Sequence, residues 1–292
     1  MHNFISPESV NLVIYHANCV DGFASAWAAH KFLRSSTIYL PCAYGDIPII
    51  PKAIDKRSII YIVDFSFSRQ VIKVFADLAN QVVILDHHKT AQEVLESWET
   101  KPDNVTIVFD VERSGAGITW DYFHDTRNQR PEFIDYIEDR DLWRFFLPSS
   151  KEVNAYISFM PKTFEAYDDF LYTDIEDMVE IGAILLRQHQ KICEEIILDA
   201  REVTINGKIG LACNCTPQFS SEVGNLLAQK SGTYGATYHS TRDGSVKWSL
   251  RSEKDYDVSA IAKQFGGGGH KNAAGFSLNP DEADNTDSIS FP

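Results

Sequence analysis

Apolar residues in the first half of the chain come in short unbroken runs: Asn11-Leu12-Val13-Ile14-Tyr15, Ser58-Ile59-Ile60-Tyr61-Ile62-Val63, Gln81-Val82-Val83-Ile84-Leu85 and Val105-Thr106-Ile107-Val108-Phe109. Each is strand length and rich in β-branched or aromatic residues. Helical patterns separate them, an Ala-rich stretch from about Phe23 to Leu33 and one through Val71, Phe75 and Leu78. Continuous apolar strands joined by helices predict a parallel sheet with helices on both faces. From Ser114 to Arg201 the pattern is mostly helical. Ile175 to Arg201 reads as one amphipathic helix, with Met178, Ile181, Ile184, Leu185, His189, Ile192 and Ile196 on related faces. Past the Asn206-Gly207 turn the chain is β-rich again, in Lys208–Cys213, Tyr234–His239 and Val246–Arg251, with helical patterns near Ser221–Gln229 and Val258–Gln264. The expectation is an α/β protein: a parallel-sheet domain over residues 1–175, a helical linker over 176–201, a smaller α/β domain over 202–280 and a flexible acidic tail over 281–292.

Ligand sites in open α/β sheets lie at the carboxyl ends of the strands. His16 follows the first apolar run, Asp64 ends the second, Asp86-His87-His88 ends the third and Asp110 follows the fourth. Further polar clusters stand at His16-Ala-Asn18-Cys19-Val-Asp21-Gly22 and Glu138-Asp139-Arg140-Asp141-Leu142-Trp143. Taken singly, each has an ordinary explanation as a helix cap, a core histidine or a solvated helix face. Taken together they change meaning, because carboxylates and imidazoles gathered on one sheet edge repel and desolvate one another unless a cation compensates. Mixed Asp/His ligation suits Mn²⁺ or Mg²⁺ better than a thiol-rich zinc site. Two ions about 3.5–4 Å apart would clamp a phosphoryl group and activate a water for in-line attack.

Bulk properties narrow the substrate. The 292 residues suit two domains, and 44% apolar with 23% charged residues is ordinary for a globular protein. A net charge of −14, from 41 acidic and 27 basic residues, opposes a track for long duplex or long single strands. A short phosphorylated substrate held by a few local cations fits better. Residues 1–10 carry no basic-then-apolar leader, no run is long enough to span a bilayer, and the five cysteines are an odd number, so the expected setting is a reducing one, the cytoplasm, with no membrane partner. Cys213-x-Cys215 has no second pair to complete a zinc site and reads as structural.

Asp86-His87-His88 resembles the signature of the DHH phosphoesterases. His16…Asp21-Gly22, Asp64 and the Asp139/Asp141 segment follow in the order of that family's other metal motifs, and Gly266-Gly267-Gly268-Gly269-His270-Lys271-Asn272-Ala273-Ala274-Gly275-Phe276 resembles the glycine-rich motif of the accompanying DHHA1 domain. The resemblance extends from about residue 10 to 278. It implies a metal-dependent phosphoesterase with two cations, Mn²⁺ first, with Mg²⁺ or another divalent ion as the alternative. His16 and Asp64 would hold one ion; Asp21, Asp64, His87 and either Asp139 or Asp141, the latter favoured, would hold the second. Asp64 would bridge, and His88 would face the substrate phosphate. Arg251, His270, Lys271 and the backbone of Gly267, Gly268 and Gly269 would bind substrate. Where the family commonly has His-x-x-x-Asp-x-Asp, this chain has Cys19 in place of the first Asp and one residue less after His16, so Cys19 either ligates or packs nearby. Arg113-Ser114-Gly115-Ala116-Gly117 reads equally as a helix N-terminus that binds a substrate anion and as an ordinary cap. The substrates implied are short oligonucleotides, dinucleotides or small phosphorylated nucleotides. The competing readings are an exopolyphosphatase-like enzyme and a non-catalytic nucleotide sensor. An oligomer is compatible with either.

Overall fold

The computed structural model describes residues 10–33, 36–124, 129–285 and 288–291. The chain divides into two compact units, Met1–Leu185 and Leu186–Pro292. The first runs β1 (Asn11–His16), α1 (Val20–Leu33), β2 (Thr37–Cys42), β3 (Ile59–Val63), α2 (Arg69–Leu78), β4 (Gln81–Asp86), α3 (Lys89–Glu96), β5 (Val105–Phe109), α4 (Gly115–Phe123), α5 (Glu132–Asp141), α6 (Ser150–Phe159) and α7 (Phe164–Asp169); α8 (Ile175–Ile196) crosses into the second.

The five strands are parallel, in the order β2-β1-β3-β4-β5. Alternate residues of each strand serve opposite faces. Leu12, Ile14, Ile60 and Ile62 pack with Ile72 and Phe75 of α2 and Leu95 of α3. Val13, Tyr61 and Val63 pack with Ala29 of α1 and with Ile118 and Phe123 of α4. Burial on both sides is why these strands read as unbroken apolar runs. Helices α1 and α4 are in turn covered by α5, α6 and α7, through Trp27, Trp120, Phe133, Ile137, Val153 and Tyr167. That second burial explains the small residues around α1, where Ala24, Ala26, Ala28 and Ala29 are all inaccessible. Strand β2 was not anticipated. It is a half-buried edge strand, the place where a residue without an N–H such as Pro41 is tolerated. Because β1 has β2 on one side and β3 on the other, the chain changes winding direction there. His16 and Asp64 flank the resulting crevice.

The second unit runs β6 (Arg201–Ile205), β7 (Lys208–Asn214), α9 (Ser220–Ser231), β8 (Tyr234–Ser240), β9 (Val246–Ser252), α10 (Ser259–Lys263), β10 (Gly268–His270), β11 (Ala273–Leu278), α11 (Pro280–Asn285) and β12 (Ile289–Ser290). Its seven strands are ordered β10-β11-β9-β8-β7-β6-β12, antiparallel except for the β7–β8 pair. Ala236, Trp248, Leu250, Ala274 and Phe276 bury one face against Ile261 and Ala262 of α10. Val223 and Leu227 of α9 pack with Cys193, Cys213 and Cys215. All five cysteines are free thiols. The expected linker helix stops at Ile196, and β6 begins at Arg201.

The tail differs from the flexible segment expected over 281–292. Residues 286, 287 and 292 lie outside the described residues. Helix α11 begins with Pro280 in its first turn, and the Glu282 carboxylate accepts the Asn279 N–H at 2.9 Å, the backbone-capping half of a capping box. Ile289 then pairs with Ile205 and packs on the second unit's core. Its acidic composition masked these two anchors. Among the described residues, no helix is long and apolar enough to cross a membrane.

Candidate metal centre

Four segments of the first unit deliver polar side chains to the crevice, and the backbone at two of them is unusual. Asp64, directly after β3, has φ of 63°, a left-handed conformation that is uncommon outside glycine, while its N–H still donates to Leu85 O at 2.9 Å. Asn18, between β1 and α1, has φ of 59°. Gly115 opens α4 so close to this point that a Cβ there would stand 2.6 Å from Asp64 Cβ and Oδ1. Any larger residue at 115 would push the helix off the site.

Asp64 is the centre of the arrangement. Its Oδ2 lies 3.3 Å from His16 Nδ1, and its Oδ1 lies 3.1 Å from His87 Nε2. The same His87 nitrogen is 3.7 Å from Asp21 Oδ2 and 3.6 Å from Asp141 Oδ2. Donor atoms of His16, Cys19 and Asp64 therefore form one group and those of Asp21, His87 and Asp141 a second, with each group's atoms all within 4.8 Å of one another. Asp64 reaches into both groups, one oxygen to each.

Charge in this corner is out of balance. Burial, followed by the carboxylates of Asp64 and Asp141, holds the Asp21 carboxyl well above its ordinary pKa, and burial also raises Asp141. Burial alone would lower His87, but Asp141, Asp64 and Asp21 together raise it well above the ordinary imidazole value. Burial would likewise raise Asp64; contacts with His16 and His87 hold it well below the carboxylate range instead. The Cys19 thiol is pushed up by burial and by the charges of Asp64, Asp21 and Asp141. Without a cation, the cluster must retain protons to be stable. His16 Nδ1 and Asp64 Oδ2 are both buried and, although 3.3 Å apart, neither makes a hydrogen bond among the described residues. Two donor atoms turned toward one another with nothing between them fit a divalent ion, which would displace the retained protons. The oxygen-and-nitrogen donor sets suit a hard or borderline cation.

The chain is similar to known proteins over most of its length. The chain is 31% identical over 299 residues to the uncharacterized protein R106 of Acanthamoeba polyphaga mimivirus, covering 95% of this chain and 69% of that protein. It is 24% identical over 260 residues to oligoribonuclease NrnB of Bacillus subtilis (strain 168), covering 78% of this chain and spanning 61% of that protein's length. The DHHA1 domain family matches residues 212–289. The chain belongs to the DHH/DHHA1 phosphoesterase family. Its fold is shared with RecJ from Thermus thermophilus, solved in complex with Mn²⁺, at a TM-score of 0.51 and 13% identity over 93% of this chain and 50% of that one.

Within this DHH unit the first Asp of the signature has a supporting part that the sequence reading did not assign. Asp86 is inaccessible; its Oδ1 accepts from His87 N–H at 2.7 Å, from His88 N–H at 3.2 Å and from His88 Nδ1 at 2.8 Å, while Oδ2 accepts from Ser66 Oγ at 2.7 Å. Burial would lower the His88 pKa, but the Asp86 charge overrides it and the net shift is upward. With Nδ1 committed to Asp86, chemistry at His88 falls to Nε2. Asp21 is fixed differently: Oδ2 accepts from Gly115 N–H at 2.7 Å and Oδ1 from Ala116 N–H at 2.9 Å. The first N–H groups of α4 are thus taken by the chain's own Asp21 carboxyl group, and not left open to a substrate anion, one of the two readings its sequence allowed. Ser114 is fully buried and caps α4 by accepting from Gly117 N–H, and Arg113 pairs with Asp121 at 2.9 Å. A substrate role for Arg113 and Ser114 gains no support from this placement.

Of Asp139 and Asp141, it is Asp141 that lies with the cluster. Asp139 is 6% exposed, and its carboxylate accepts from Phe146 N–H at 2.8 Å and Leu147 N–H at 3.2 Å, while its carbonyl accepts from Arg144 and Phe145. It shapes the loop after α5, where Trp143 and Phe145 both adopt left-handed backbones. Asp110 also stands apart from the cluster and closes a turn by accepting from Glu112 N–H at 3.0 Å.

In the DHHA1 unit the glycine run is largely occupied by its own chain. Gly268 and His270 pair with Gly275 and Ala273, and a Cβ on Gly267 would stand 2.1 Å from Gly275 O. Gly269, with φ of 137°, would bring a Cβ to 2.5 Å from Ala273 O. Lys271 pairs with the exposed Asp255 at 2.8 Å. Ala273 is the register partner of both His270 and Arg251, so those two side chains share one face of the sheet with a single strand between them. Arg251 is held by Ser221 Oγ at 2.8 Å and Ser249 Oγ at 3.0 Å. The Cys193, Cys213 and Cys215 thiols are each held up by burial, the first two to about 12 and the third to about 11, as suits packed, unreactive residues.

Proposed function

We infer that the protein hydrolyses a phosphoester bond of a short oligonucleotide, a dinucleotide or a small phosphorylated nucleotide such as 3′-phosphoadenosine 5′-phosphate, with two divalent cations and Mn²⁺ first among them. The observation that carries the reading is Asp64, one oxygen turned to each of two donor groups. His16, Cys19 and Asp64 would hold one ion; Asp21, Asp64, His87 and Asp141 would hold the other. Such a pair supplies Lewis-acid charge to a phosphoryl group and acidifies a water for in-line attack. The chain's own contribution is to keep the carboxylates in place through the α4 N–H groups and to present His88 Nε2, oriented by Asp86, to the phosphate. Within the DHHA1 unit, Arg251 and His270, which share a sheet face, are the residues suited to bind a nucleotide. The name of the NrnB relative, an oligoribonuclease, supports this substrate class, as does the net charge of −14, which disfavours long polyanions.

The second reading is a nucleotide sensor that no longer turns over. Cys19, a thiol held protonated beside three carboxylates, favours it. The intact Asp86–His88 pair opposes it, since binding alone has no need of an oriented imidazole. Mononucleotide and phosphate release separates the two, measured with Mn²⁺ and with chelator on a panel of a dinucleotide, a 5-mer, a long single strand, 3′-phosphoadenosine 5′-phosphate and polyphosphate. Chelator-sensitive cleavage of the short nucleotides is expected. Nucleotide binding with no cleavage of any member would establish the sensor, and preference for polyphosphate would overturn the substrate class.

A further inference from the structure

Tyr44 stands at the edge of this site without a part in it so far. It lies two residues past β2, whose last residue, Cys42, is the register partner of His16 and accepts the Ala17 N–H at 2.9 Å. A short turn fixes it: Ala43 N–H donates to Asp46 Oδ2 at 3.1 Å, Asp46 N–H donates to Ala43 O at 3.1 Å, and Gly45 takes a left-handed φ of 90°. The Tyr44 ring packs edge-on against three others, His16 at 5.3 Å and 72°, His88 at 5.8 Å and 76°, and Phe65 at 6.0 Å and 89°. The His16 and His88 rings are themselves 6.0 Å apart. Tyr44 is nonetheless 50% exposed, and its hydroxyl makes no hydrogen bond among the described residues.

Core packing does not account for a ring so exposed, and a surface tyrosine has no need to rest on two imidazoles of a metal centre. We propose that Tyr44 is a phosphate-contacting residue, donating its hydroxyl hydrogen bond to a non-bridging oxygen of the phosphoryl group held between His16 and His88. This rests on the phosphoesterase reading above and adds to it a donor that carries no charge and displaces no metal ligand. A phenol is neutral through the working pH range and so donates throughout it. A donor aimed at charge that grows during phosphoryl transfer acts on turnover more than on ground-state binding.

The test is Tyr44→Phe in the full chain, which keeps the ring and removes only the hydroxyl. Three readings are taken: Mn²⁺ affinity, affinity of the Mn²⁺-loaded protein for inorganic phosphate, and kcat against KM on whichever panel substrate the wild type cleaves. The expected result is unchanged Mn²⁺ affinity, phosphate binding weakened roughly tenfold, and kcat reduced by on the order of 100-fold with a smaller change in KM. Unaltered phosphate binding would overturn the proposal, and so would an equal loss of Mn²⁺ affinity, which would make Tyr44 a prop for His16. A wild type that binds phosphate yet cleaves nothing would count against the esterase reading alone, because the phosphate measurement still decides the role of Tyr44. No phosphate binding by the Mn²⁺-loaded wild type would overturn both.

Discussion

Two short stretches hold the densest chemistry in this sequence, residues 86–88 in the first unit and residues 266–271 in the second, and the fold uses them in opposite ways. At the strand ends of the DHH unit, three carboxylates, two histidines and a thiol crowd together with more charge than they can neutralise among themselves. In the DHHA1 unit the glycines are taken up by their own hairpin, where Gly267 and Gly269 touch the backbone of the opposite strand, and Lys271 is paired with an exposed acid. A cluster of like charges calls for a ligand because it is costly without one. A run of small residues makes no such demand, since close backbone packing is reason enough for it. The cluster at the strand ends of the DHH unit is therefore suited to a cation by its imbalance of charge. What the DHHA1 unit offers toward a ligand is Arg251 and His270 on one sheet face, a strand apart.

The comparison can be broken first at Asp64. Asp64→Asn keeps the shape but removes the charge shared by the two donor groups; turnover should fall by more than about 1000-fold, with the circular dichroism spectrum and melting cooperativity retained. Substantial residual activity would remove the two-group model. Asp139→Ala, two residues from a ligand but outside the cluster, should act on stability instead: losing two charge-assisted bonds to Phe146 and Leu147 should cost about 3 kcal/mol in a denaturant titration, and Mn²⁺ binding should survive below the new melting point. Asp86→Asn should lower kcat by about 10- to 100-fold with Mn²⁺ affinity close to wild type, as expected of a residue that orients His88; a matching fall in metal affinity would recast Asp86 as support for His87. Gly267→Ala sharpens the other side. If the glycine serves the hairpin, the added methyl costs about 2 kcal/mol of stability and leaves the KM of the remaining folded protein unchanged. A raised KM at unchanged stability would return the glycine run to the substrate.

Much of the first unit could be read from its sequence because two-sided burial makes parallel strands unmistakable, and because Asp64 and His87 follow those strands at once. Asp139 and Asp141 were harder. Two residues along a helix turn the side chain by about 200°, so the two point to opposite sides, and only the packing of α5 on α1 and α4 fixes which side meets the site. Arg113 to Gly117 was legible as a helix N-terminus, but its anion, Asp21, lies 94 residues away in sequence. Asp86 was hidden by its place as the first letter of a ligand motif, and β2 by its half-buried edge position. Tyr44 left little trace, since an aromatic in a loop has many explanations. Its nearness to His16 depends on the β1–β2 register, and β2 itself was not foreseen.

The most direct test of the central claim is a Mn²⁺ titration of the full chain followed by electron paramagnetic resonance, comparing wild type with Asp64→Ala. The account predicts a spin-coupled pair of ions in the wild type and loss of that coupled signal in the variant, because one carboxylate serves both donor groups. A wild type that binds only isolated, uncoupled Mn²⁺, or an Asp64→Ala protein that keeps the coupled pair, would contradict it.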